Sequence, residues 1–313
     1  MKNLPKKAAD ETKKLALNLV EHHFPRKKIT IEPLGGGITN FVFSVRAGRE
    51  DLVVRISDQV DKINFFMKEQ WATSVARLVD IPVPEILEVG NSIIPLPYMI
   101  SRKIEGEIAV NHPARLDVLN QLGRLAAAIH RIPTKGYGQM FDWSQNSLSK
   151  NDSWKQFLVE ELKAKERISM LGDKGMISPV VCRRLKEELT RIMSWKGRTC
   201  LQHGDLRLKN VMINDKAKII AIIDWEQCIS SIGPFWDISI GLHDLSIDGQ
   251  QSFLDGYGFS GQKLIKDSAV LKTFNLLNYA PIVEKMLQSR NKKQLAYYKA
   301  RLHGSLDMFS ING

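Results

Sequence analysis

The sequence predicts an α+β fold in two lobes: a small, mostly antiparallel sheet lobe over residues 1–101 and a larger, mostly helical lobe over residues 102–313. Three observations carry this prediction. Short β-branched and aromatic runs crowd the first hundred residues, helical spacing dominates after Gly106, and 313 residues are enough for two separately buried cores.

In chain order, residues 6–23 place Ala8, Leu15, Leu19 and Val20 on one helical face, and Pro25 ends the helix. ITIEPL, FVFSVRAG and EDLVVRIS then read as strands, punctuated by GGG and by the turn AGRED. Residues 62–79 have helical spacing and stop before Pro82 and Pro84, after which LEVGNS and LPYMISRKI read as two more strands. Beyond Gly106, residues 113–131, DSWKQFLVEELKAKERISML and SPVVCRRLKEELTRIMSW each read as one helix, the last opened by Ser178 and Pro179. Residues 211–223, VMINDKAKIIAII, form a hairpin signature that runs into Asp224. From residue 250 the chain is helical again, interrupted by GYGFSG.

Composition narrows the function classes. At 43% hydrophobic and 25% charged the chain is globular, and no apolar run approaches the roughly 20 residues of a membrane span. The polar N-terminus has no apolar signal core, so a cytoplasmic location is expected. Cys182, Cys200 and Cys228 have no metal or disulfide spacing and suit small buried positions. The net charge of +11 lies in the two ends: residues 1–30 carry eight Lys/Arg against three Asp/Glu, residues 261–313 nine against three, and the rest balances. That distribution disfavours a basic nucleic-acid groove.

The chemistry gathers in LQHGDLRLKNV, residues 201–211. His203, Gly204, Asp205 and Asn210 have the spacing of the kinase loop H-R-D-L-x-x-x-N, with glycine for the arginine. In that chemistry an Asp accepts or orients the proton of an attacking hydroxyl, and an Asn one short loop later offers its carbonyl oxygen to Mg2+ on the nucleotide phosphates. Asp224, 14 residues beyond Asn210 at the end of the hairpin, is placed to supply a second metal oxygen. Asp and Asn also serve ordinary turns. The interval, the apolar hairpin and the terminal Asp-Trp-Glu favour the catalytic reading, with His203 orienting the loop backbone. Upstream, Gly36, Gly37, Thr39 and Asn40 in LGGGITNFVFSV suit a phosphate cradle or a plain turn. Arg55 alternates with Val53 along a strand and offers a donor fork, and Glu69, 14 residues on in the next helix, is its expected partner.

These residues resemble the aminoglycoside phosphotransferase and choline kinase-like superfamily, small-molecule relatives of the protein kinases. GGGITN, Arg55 with Glu69, IPVPEIL before YMISRKIEGE, HGDLRLKN and IDWE fall in the family's order, and the likeness extends to GPFWDIS and FLDGYG. The resemblance implies a protein-kinase-like two-lobed fold with ATP in its cleft, GTP being an alternative. It implies Asp205 as base, Asn210 and Asp224 as Mg2+ ligands, and Arg55, oriented by Glu69, on the phosphates. It also implies adenine on the hinge backbone around Arg102 and Ile104, and Asp237 as a stabiliser of the catalytic loop. An arginine on the strand is more like the choline kinase branch, whereas HGD is more typical of antibiotic kinases.

The expected activity is therefore phosphoryl transfer to a small-molecule alcohol, aminoglycoside phosphotransferase-like. The alternatives are a choline or ethanolamine kinase-like metabolic enzyme and a catalytically silent nucleotide-binding protein of the same fold. A polycationic acceptor would want carboxylates, for which Glu160, Glu161 and Glu166 or Asp244, Asp248 and Asp255 are candidates. Trp143, Trp154, Trp225 and Trp236 are candidates to box a quaternary ammonium, though core packing suits most Trp residues better.

Overall fold

The computed structural model describes residues 6–34, 40–139, 151–243, 245–289 and 292–308, with side chains left aside in 6–9 and 305–308. Gly36, Gly37 and Thr39 of the expected phosphate cradle, together with Trp143 and Asp244, lie outside the described residues. The chain forms two compact units, Met1–Glu107 with Val211–Glu226, and Ile108–Asn210 with Gln227–Gly313.

The first unit is built on an antiparallel sheet of β1 (Ile29–Pro33), β2 (Phe41–Ala47), β3 (Glu50–Ile56), β4 (Ile86–Gly90) and β5 (Tyr98–Arg102), in the order β1-β2-β3-β5-β4. Strand alternation sends Leu52, Val54 and Ile56 to one face, where helix α1 (Lys6–His23) closes the core with Ala16, Leu19 and Val20. The same alternation turns Val53 and Arg55 to the other face. Helix α2 (Lys62–Arg77) buries Phe66, Glu69 and Thr73 on one stripe.

The two-residue β6 (Glu107–Ile108) leads to the second unit, which opens with α3 (Arg115–Ile129). Where one long helix was expected over residues 152–171, the structure has a turn α4 (Trp154–Gln156), a π-turn at Phe157–Glu161 and a separate α5 (Ala164–Asp173). The Leu162 N–H reaches Phe157 O at 2.8 Å and Lys163 is left-handed at φ 52°, a break that no Gly or Pro signals. Helix α6 (Pro179–Met193) begins as expected, its Ser178 Oγ accepting from Val181 N. Strand β7 (Thr199–Gln202) pairs with β10 (Ile229–Ile232), and between them the first unit's hairpin is β8 (Val211–Ile213) with β9 (Ile219–Ile222). Helices α7 (Phe235–Gly241), α8 (Ile247–Tyr257), α9 (Gly261–Gln288) and α10 (Lys292–Met308) complete the chain. Among the described residues no helix is long and apolar enough to cross a membrane.

Helices α3 and α8 cross with backbones almost touching. A Cβ on Gly123 would lie 2.1 Å from Phe253 O, and one on Gly256 would lie 2.0 Å from Asn120 O. Alanine favours a helix interior over glycine by about 1 kcal/mol, so on propensity alone Gly123→Ala should stabilise. The crossing reverses the sign: we expect Gly123→Ala to lower the unfolding free energy by about 2 kcal/mol or more, read by urea denaturation. Unchanged or increased stability would contradict the close crossing.

Candidate active site

In the second unit, β7 delivers the segment 203–210 into a loop clamped from beneath by α7. Asp237, fully buried near the start of α7, accepts from His203 N at 2.7 Å and Gly204 N at 2.8 Å. Its Oδ2 also meets His130 Nε2 at 3.1 Å, and His130 Nδ1 meets Tyr257 Oη at 2.9 Å. Gln202 fixes Asp237 in turn, its side-chain oxygen accepting from Asp237 N at 2.8 Å while its amide donates to Gly233 O at 2.7 Å. The glycine in HGD is sterically required. Gly204 has φ +85°, and a Cβ there would sit 1.9 Å from Gln227 O.

Above this clamp, His203 is fully buried and its Nδ1 accepts from Asp205 N at 3.2 Å, so the imidazole orients the turn. The Asp205 carboxylate receives Arg207 Nε at 2.6 Å and Lys209 Nζ at 2.7 Å. Asn210 donates its Nδ2 to Asp205 O at 2.8 Å and to Asp205 Oδ2 at 3.2 Å. That orientation leaves the amide oxygen, the atom a cation would use, outside those bonds.

The first unit carries a buried charge cluster. One Arg55 Nη1 donates to both oxygens of Glu69, at 2.9 and 2.8 Å, and Nη2 reaches Glu226 at 3.2 Å and Asp224 at 4.0 Å. Lys62 Nζ joins Glu226 at 2.9 Å. Burial opposes the Arg55 charge, but Glu69, Glu226 and Asp224 more than compensate and hold its pKa above the ordinary arginine value. Carboxylate oxygens of Glu69, Asp224 and Glu226 lie within 4.8 Å of one another. Burial pushes the Glu69 carboxyl up even with Arg55 beside it, whereas Asp224 is the most open of the three, its side chain 42% exposed. Asp224 holds a left-handed backbone at φ 67°, a conformation uncommon outside glycine and concentrated at functional turns.

With this geometry in hand, the family model of the Phosphotransferase enzyme family matches residues 30–271. The chain belongs to that family. A curated relative, hygromycin-B 4-O-kinase of Escherichia coli, is 23% identical over 206 residues, which span 63% of this chain and 57% of the relative. Among solved structures, a thermostable mutant of aminoglycoside phosphotransferase APH(4)-Ia in ternary complex with ADP and hygromycin B superposes with a TM-score of 0.70 at 18% identity, covering 94% of this chain and 98% of that one. The GDP and kanamycin complex of APH(2")-IIIa gives 0.64 at 15% identity, covering 93% and 98%. These likenesses confirm the expected protein-kinase-like fold.

Within the family frame, the structure brings Arg55, Glu69 and Asp224 together in the first unit, and Asp205 and Asn210 together in the second. Asn40 is buried next to the start of β2. Arg102 ends β5, its amide donating to Glu85 O and its side chain pairing on the surface with Glu50 and Glu85, and Ile104 follows the strand. Trp154, Trp225 and Trp236 are core residues, their indole N–H groups donating to Ile192, Ile222 and Gly204 carbonyls. Four contributors escaped the sequence reading: Lys62, Glu226, His130 and Tyr257. Glu226 was visible in the Asp-Trp-Glu triplet; His130 and Tyr257 had no local signal, since each meets its partner only through the fold.

Asp237→Asn tests the clamp. An amide puts an NH2 where the carboxylate now accepts from two backbone N–H groups and meets His130, leaving buried donors facing one another. We expect a loss of about 2–4 kcal/mol in urea unfolding, against about 1 kcal/mol for Tyr257→Phe. Equal, small effects of the two variants would show that Asp237 is not the centre of the clamp.

Proposed function

We propose that this phosphotransferase is an ATP- and Mg2+-dependent kinase that moves the γ-phosphoryl group directly to a hydroxyl of a small molecule. The observation that carries the reading is the rigid loop that bonds Asn210 to Asp205 on the buried Asp237 clamp. In this scheme the acceptor oxygen bonds to the γ-phosphorus as the bond to the β,γ-bridging oxygen breaks, ADP departs, and the hydroxyl proton passes to Asp205. Arg55, held by two hydrogen bonds to Glu69, presents a fixed cation for phosphate oxygens. The nucleotide-bound complexes of the solved relatives support a nucleotide donor. Asn40, with Gly36, Gly37 and Thr39, is assigned to the phosphates, and the backbone at Arg102 and Ile104 to the base.

Hard oxygen donors suit Mg2+. The Asp224 carboxylate and the Asn210 amide oxygen are the proposed ligands, and the gathering of carboxylate oxygens around Asp224 supports a cation at that residue. Bound Mg2+ would neutralise phosphate charge as it develops.

Asp205→Asn separates catalysis from binding. With Mg2+ and either ATP or GTP, the protein should release nucleoside diphosphate on some member of a panel of alcohols. Asp205→Asn should lower kcat by about a thousandfold or more while nucleotide affinity stays within a factor of about three. Turnover retained by the variant would refute Asp205 as the base, and ATP binding without turnover on any acceptor would favour the silent nucleotide-binding alternative.

A further inference from the structure

A cavity of about 480 Å3 opens beside the Asp205 loop, wholly within the second unit. Its size suits one small molecule. Arg115, Arg207 and Lys209 line it with His243, and the rest of the wall is leucine, valine, glycine and Ser246. Among the described residues that line it there is no carboxylate. Two of these cations are the side chains that touch the Asp205 carboxylate, so a ligand in the cavity lies within one side chain's reach of the proposed base.

The surroundings add to the positive potential. Arg115 is the first residue of α3, and Ser246 caps α8, its Oγ accepting from Gly249 N, so the positive ends of two helix dipoles contribute to the wall. Arg301 of α10 stacks on Tyr279, whose ring packs on His243 with centroids 4.3 Å apart. Burial, then Arg301 and Arg207, push the His243 imidazole down to about 4, so it is neutral at pH 7 and registers the field around it. Arg301 is itself lowered by burial and by Arg207.

Of the carboxylates a cationic acceptor would want, those among the described residues lie elsewhere, Asp244 being outside that set. Glu161 accepts from Gln139 N at 2.7 Å and Asn151 at 2.6 Å, and Glu160, Asp248 and Asp255 are exposed on their helices, none of them in the cavity wall.

We propose that the acceptor of this kinase is an anionic small alcohol, its carboxylate or phosphate seated on Arg115, Arg207 and Lys209, rather than a polyamine of the aminoglycoside type. The inference rests on the phosphoryl-transfer reading above, because it takes the cavity beside Asp205 as the acceptor pocket. A polycation would face Arg115 together with Arg207 and Lys209, two cations that the single Asp205 carboxylate only partly offsets, and like-charge contact of this kind disfavours the wrong partner.

The test uses the full chain with Mg2+ and AMP-PNP for calorimetric binding, and with ATP for turnover. Two matched series vary charge on one skeleton: glycerol, glycerate and glycerol 3-phosphate; and glucosamine, glucose, gluconate and glucose 6-phosphate. Hygromycin B and kanamycin are run beside them. At least one anion should exceed its neutral parent by tenfold or more in affinity or kcat/KM, and the amines should fall below it. The carboxylate and phosphate arms identify which group is recognised. Arg115 is exposed at the start of α3, so Arg115→Glu should fold; it should raise the anion's Kd and KM at least tenfold with kcat within about threefold. An anion in the cavity should also raise the His243 titration midpoint seen by NMR.

The proposal is overturned if amines outrank acids in either readout, if Arg115→Glu leaves anion binding unchanged, or if no anion binds up to about 10 mM. The kinase reading fails separately, by absent AMP-PNP binding and absent ADP release with every acceptor.

Discussion

The buried carboxylate of Asp237 is the constraint on which the geometry of the Asp205 loop depends. It takes backbone donors from His203 and Gly204 and meets the His130 ring, while Gln202 accepts from the Asp237 backbone N–H and Tyr257 meets the other nitrogen of His130. A fully buried carboxylate is tolerable only when its lone pairs are met in this way, because an unpaired one would lose several kcal/mol of solvation. The dependence extends outward. His130 caps the end of α3 and Tyr257 ends α8, so the two glycines at the crossing of those helices determine where the clamp sits. Sequence distance is no guide to this coupling; a Cβ at residue 123 would disturb it as directly as a change in the loop.

The first unit solves a different electrostatic problem. Arg55 lies on the sheet face away from the α1 core, where strand alternation puts it, and α2 presents Glu69 from the stripe that also buries Phe66. Glu226 and Lys62 complete the set, so the arginine is fixed on more than one side. Such a buried cluster contributes little net stability compared with apolar packing, yet breaking it strands an unmatched charge. Its value is geometric: a guanidinium that cannot swing away, with Asp224 beside it at the exposed rim.

Much of this was legible in the sequence, for a physical reason. Strand parity, cap residues and the Asp-to-Asn interval are local codes, so β1 to β5, α6 with Ser178 and Pro179, and the hairpin after Asn210 could be read directly. The break at Lys163 could not, since a π-turn followed by a left-handed lysine is imposed by packing around Trp154 and Phe157 rather than by a breaker residue. The short β7 and β10 were missed because four residues such as TCLQ or ISSI carry too little pattern. In the sequence Gly204 stands out only as the replacement of the arginine in the protein-kinase loop. Its structural reason, the Gln227 carbonyl pressed against its α-carbon, appears only when residues far along the chain are folded back.

The charges around Asp205 fall into two groups. The clamp and the Asp205–Asn210 bond involve backbone and buried groups that would serve any alcohol. Arg207 and Lys209 differ: they hold the Asp205 carboxylate and also form the wall of the cavity. A cation that serves two anions divides its hydrogen bonds between them. In the proposed mechanism an anionic acceptor on that wall would therefore draw Arg207 and Lys209 away from Asp205, leaving its oxygens better able to accept the hydroxyl proton, whereas an amine would reinforce their grip on the proposed base. Substrate charge would thus act on binding and on the readiness of the base through the same two side chains.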